Sequence, residues 1–88
     1  MLDIIQARKE LKDKVGCADY DVILKSNGKG IITVSFIDED THERVNFKFN
    51  ESTGVTTIAP REMEKDCFVY QLKEDLDRIK EILTNNNK

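Results

Sequence analysis

Residues 26–50 read SNGKGIITVSFIDEDTHERVNFKFN, and the way this stretch folds decides how the remainder is read. Its second half is the clearest part. In Arg44–Asn50, Val45, Phe47 and Phe49 alternate with Arg44, Asn46 and Lys48. A repeat of two is the mark of a strand with one apolar face. Ile31–Ile37 repeats the pattern, with Ile32, Val34 and Phe36 on one side and Ile31, Thr33, Ser35 and Ile37 on the other. Upstream, Tyr20, Val22 and Leu24 alternate in the same way. Asn27-Gly28 joins the first two runs, and that dipeptide signals a tight hairpin whose central residues take positive φ.

Working outward, Asn50-Glu51-Ser52-Thr53-Gly54 reads as a further turn. Val55–Ala59 then makes a short fourth strand. Strands joined by such short turns are antiparallel, because parallel neighbours need a long crossover. The face carrying Val22, Leu24, Ile32, Val34, Phe36, Val45, Phe47 and Phe49 requires a cover. Ile23, Ile31, Ile37 and Ile58 are expected on the opposite face, among Lys25, Thr33, Ser35, Arg44 and Lys48.

The two ends of the chain supply that cover. Ile4, Ala7, Leu11 and Val15 recur at spacings of three and four, which predicts a helix over 2–15. Gly16 follows as its cap. Pro60 suits a first helical turn. Val69, Leu72, Leu76, Ile79 and Leu83 repeat the helical spacing, which predicts a second helix over 61–84. Cys67-Phe68-Val69-Tyr70 also reads as a fifth strand, since its residues favour strands, and both readings stay open. Asn85-Asn86-Asn87-Lys88 is expected to fray. The whole is one α+β domain over 1–88, in α-β-β-β-β-α order: an antiparallel four-stranded meander packed against N- and C-terminal helices.

The totals narrow the function. Eighty-eight residues make one small domain. Charged residues are 35% of the chain and the formal net charge is -3. That balance disfavours a phosphate-binding surface and leaves basic proteins as partners. No apolar run resembles a signal peptide or approaches the roughly 20 residues of a spanning helix, so a cytoplasmic protein is expected. Cys17 and Cys67 form no CxxC pair and read as free thiols.

Asp38-Glu39-Asp40-Thr41-His42-Glu43 is the densest polar cluster. Its spacing does not match a calcium loop, which needs alternate acids, a glycine and a glutamate at the twelfth position. It reads as a turn. His42 is the chain's only histidine, and nothing in the sequence brings a nucleophile to it. Asn27-Gly28-Lys29-Gly30 lacks the Gly-Lys-Ser/Thr ending of a phosphate loop. No catalytic residue, cofactor or metal ligand is therefore assigned.

The leading expectation is a non-catalytic interaction module. It would be an acidic regulator or inhibitor of a larger protein, of the sort that phages and mobile elements encode. Its contact residues would be Asp38, Glu39 and Asp40 in the loop and Glu74, Asp75 and Asp77 on the last helix. The stripe Leu72, Leu76, Ile79 and Leu83 would either pack on its own sheet or meet a partner, a second copy making a homodimer. Two alternatives are carried. One is an enzyme or small-ligand binder whose pocket, between sheet and helices, would gather Tyr20, Tyr70, His42 and Cys67. The other is a nucleic-acid binder using Lys25, Arg44 and Lys48 on the sheet.

Overall fold

The computed structural model describes residues 1–15, 20–40, 42–58 and 72–87. Its elements are α1 (Ile4–Lys14), β1 (Tyr20–Ser26), β2 (Ile31–Asp38), β3 (Arg44–Asn50), β4 (Thr56–Ile58) and α2 (Leu76–Asn85). The strands form one sheet in the order β1-β2-β3-β4, every pair antiparallel. The expected α+β architecture is the one found. Gly16, Ala59 and the segment Cys67–Tyr70 lie outside the described residues, so the choice between helix and fifth strand there is not addressed.

Register follows from the alternation. Val22 faces Phe36, which faces Val45, and Leu24, Val34 and Phe47 form the next row. All eight residues expected on the apolar face are buried. Phe36 stands edge-on to Phe47 at 5.5 Å between ring centres and lies 5.8 Å from the Tyr20 ring. Each buried side chain of this size contributes roughly 1.5–3 kcal/mol through removal from water. Ile58 is a correction. It pairs with Phe47 and therefore packs on the core side, not the outer one. The strand begins one residue later than its sequence suggested, and Val55 is left exposed. Pairing register sets the face, and Thr56 opposite Phe49 with Ile58 opposite Phe47 puts both on the core side.

The first hairpin is wider than a two-residue turn. Asn27 N–H donates to Ile31 O at 3.0 Å, and the positive φ values fall on Gly28 and Gly30. Asn27 instead uses its side chain, whose Oδ1 accepts from Lys29 N at 2.7 Å and Ile31 N at 3.2 Å.

α1 closes one edge of the sheet. Asp3 caps it, Oδ1 accepting from Gln6 N at 3.1 Å. Arg8 Nε donates to Val22 O at 2.9 Å and Lys12 Nζ to Tyr20 O at 2.8 Å. Asp21 Oδ1 accepts from Val22 N at 2.9 Å. An edge strand offers unpaired backbone groups to other strands. Here the basic side chains of the helix occupy two of the carbonyls of β1, those of Tyr20 and Val22.

The asparagine tail is the second correction. Asp3 N donates to Asn86 O at 2.8 Å, and Leu2 pairs with Asn87 in an antiparallel bridge. Asn87 Nδ2 donates to Glu51 O at 2.9 Å, while Leu2 N donates to Glu51 Oε2 at 2.7 Å. Asn86 is buried, its Nδ2 donating to Glu10 Oε2 and to Ile82 O. The tail through Asn87 is held because it closes on the start of the chain and on the β3–β4 turn. At the far end Arg78 Nη1 donates to Lys14 O at 2.7 Å, so α1 and α2 run antiparallel.

The Glu10 contact carries a pH signature. The Asn86 amide, and then Lys14, hold its carboxyl below the ordinary value of 4.5. A depressed folded pKa stabilises the fold above the ordinary value and loses that contribution as pH falls through the folded one. The stability difference between wild type and Glu10→Gln should therefore shrink as pH drops below the ordinary value of 4.5. Urea midpoints of both proteins across the acid range would show it. A constant difference would mean that ionisation of Glu10 does not matter to the tail.

Candidate functional site

The acidic stretch forms the β2–β3 turn. His42 N donates to Asp38 O and Asp38 N to Glu43 O, both at 2.8 Å. Asp38 Oδ1 accepts from Asp40 N at 2.8 Å. His42 has a φ of +62°, a left-handed conformation that Asn, Asp and His enter more readily than most residues. Its imidazole is exposed. The polar residues thus satisfy a turn, as the sequence suggested. Among the described residues no group of three or more His, Cys, Asp or Glu could hold a metal.

The topology brings the two sets of acids to one end of the domain. Asp38 closes β2 opposite Tyr20, where β1 begins. The Tyr20 hydroxyl donates to Leu11 O near the end of α1. Lys14, the last residue of α1, is bonded to Arg78 in the first turn of α2. The β2–β3 turn and the start of α2 therefore lie beside the same end of α1. Glu39, Asp40, Glu74 and Asp77 are exposed there, and Asp38 and Asp75 are half-buried. Asp75 pairs with Arg78 at 3.5 Å. Asp77 in the first turn of α2 also complements the helix dipole.

The apolar stripe is arranged differently. Leu72, Ile79 and Leu83 are each 0% exposed within the chain's own core, and Leu76 packs against it half-buried. In this fold the stripe seals the sheet. That is the first of the two roles its spacing allowed.

The alternative sites are dispersed. Tyr20 is buried with its hydroxyl on Leu11, whereas His42 lies on the exposed turn, so these two do not converge. Tyr70 and Cys67 fall outside the described residues. On the outer sheet face Lys25, Thr33, Lys48 and Thr57 form one row, beside Ile23, Ser35 and Asn46. Every described phenylalanine and tyrosine faces the core. Stacking on bases, which single-stranded recognition uses, therefore has no platform among the described residues of that face.

A groove of about 400 Å³ lies between the helices, lined by Glu10, Lys14, Arg78, Glu81, Ile82 and Asn85. Three of its charged groups are engaged. Lys14 pairs with Glu10 at 3.3 Å, and Arg78 with Asp75 and Lys14 O. Sequence reading missed this groove, because its lining depends on how two helices far apart in the chain pack. No helix among the described residues is long and apolar enough to cross a membrane. No family model, no curated protein and no solved structure matches the chain.

Proposed function

We propose that this chain is a non-catalytic interaction module of the cytoplasm, a regulator or inhibitor that engages a basic surface of a larger protein through its acidic end. One observation supports the reading. Asp38, Glu39 and Asp40 are distant in sequence from Glu74, Asp75 and Asp77, yet the turn of the sheet and the start of α2 each adjoin the C-terminal end of α1. Charges of one sign gathered on a rigid surface steer a partner of the opposite sign and raise its association rate. The turn is fixed by its own hydrogen bonds, so little ordering is required on binding.

The test is affinity capture from the source cells with two baits. One is wild type. The other carries Asp→Asn and Glu→Gln at all six positions, which keeps the turn acceptors and removes the charge. A basic protein should be retained by wild type and fall about tenfold or more on the neutral bait. It should also elute as salt shortens the Debye length from about 10 Å to about 3 Å. Equal retention on both baits would refute the electrostatic reading.

A further inference from the structure

The turn that joins β1 to β2 brings together, around one exposed amide, the parts of an intramolecular acyl transfer. We infer that Asn27 is a modification site, at which the chain deamidates itself with water as the only co-reactant. The nucleophile is the backbone nitrogen of Gly28. Gly28 carries no side chain to crowd it, and its N–H donates to the exposed Ser26 Oγ, at 3.1 Å. The electrophile is Cγ of Asn27. Its Oδ1 already accepts two backbone N–H groups, Lys29 at 2.7 Å and Ile31 at 3.2 Å. Donors placed on a carbonyl oxygen stabilise the negative charge that develops when the carbon is attacked. Gly28 has a φ of +76°, and Asn27 and Gly28 are both exposed, so water reaches the turn.

The bonds balance as follows. The Gly28 nitrogen bonds to Asn27 Cγ, and the Cγ–Nδ2 bond breaks. Nδ2 leaves as ammonia, carrying the proton that the Gly28 nitrogen gives up to solvent. The five-membered imide then adds water at either carbonyl. One ring opening leaves aspartate, and the other leaves isoaspartate, with one more carbon in the backbone.

Other asparagines are held against this reaction. Asn50 Oδ1 also accepts two backbone N–H groups, from Ser52 and Thr53, but Glu51 and Asn86, which follow Asn50 and Asn85, carry side chains that crowd the attacking nitrogen where Gly28 carries none. Asn46 is followed by Phe47, whose side chain is sealed in the core. The would-be leaving nitrogens of Asn86 and Asn87 donate to Ile82 O at 2.8 Å and Glu51 O at 2.9 Å.

Isoaspartate at 27 would lengthen the backbone inside the Asn27–Ile31 bond and add a negative charge beside Lys25 and Lys29. Deamidation would thereby mark the age of the molecule at one hairpin.

The experiment incubates the full chain at physiological temperature across neutral to mildly alkaline pH. Peptide mapping by mass spectrometry follows the Asn27 amide, with a synthetic peptide of residues 22–35 run in parallel. Conversion is expected at Asn27 ahead of every other described asparagine, with isoaspartate among the products. The rate should climb up to about tenfold per pH unit, as loss of the amide proton requires. The folded chain should react at least as fast as the peptide. Gly28→Ala should slow it about tenfold in both, since a Cβ next to the attacking nitrogen obstructs the attack. A folded chain that keeps Asn27 intact while the peptide loses it would overturn the proposal.

Discussion

Replacing Ile79 with aspartate is expected to unfold the chain. Ile79 is 0% exposed and sits on α2 among Leu72, Leu83 and the sheet residues of the core. The substitution removes apolar packing and places a carboxylate at a position fully withdrawn from water. The loss should exceed about 4 kcal/mol, a large part of the roughly 5–15 kcal/mol that holds a small domain together. Far-ultraviolet circular dichroism and a urea midpoint on purified protein would report it. The experiment also separates the two roles that the stripe could have had. A stripe that served only as a docking face would tolerate a carboxylate at this position, and the variant would stay folded while losing its partner. A folded, cooperative Ile79→Asp protein would therefore contradict the packing described above.

The second large effect is expected at Phe36. This side chain lies in a central strand and is 0% exposed. Its ring meets Phe47 edge-on and Tyr20 at a tilt. Phe36→Ala should cost about 3–5 kcal/mol, from lost transfer energy and the cavity left behind. Phe36→Leu, which keeps most of the volume, should cost about 1.5 kcal/mol or less. The consequences reach α1, because Tyr20 packs on Phe36 and its hydroxyl holds the Leu11 carbonyl. Combining Phe36→Ala with Phe47→Ala should cost less than the sum of the two, since each single change already breaks the ring pair. Additive costs would show that the two rings do not depend on each other.

Both predictions rest on features that the sequence displays to different degrees. Phe36 was legible from the alternation of β2 alone, because a period of two assigns its face without knowledge of the partner strands. Ile79 was legible as part of an apolar stripe. Whether that stripe faced its own sheet or another molecule depended on where α2 docked. The acidic residues were equally visible in both segments, but their common location was not. It arises because α1 links the start of β1 to the start of α2, and those contacts join residues far apart in the chain. The anchoring of the tail was hidden for a similar reason. A run of asparagines looks unstructured in isolation, yet Asn86 and Asn87 find Glu10, Ile82 and Glu51 once the helices lie antiparallel.

The order of elements, the sheet's antiparallel sense and the apolar faces of β1, β2 and β3 were determined by the sequence itself. Those properties depend on local periodicity and turn chemistry, which act between neighbours in the chain. The closed edge of β1, the anchored tail, the side of the sheet that Ile58 joins and the placement of both acidic segments beside the end of α1 were decided only by the tertiary structure. Each depends on the register or docking of distant segments, which is set when buried surfaces and hydrogen-bond partners are satisfied together.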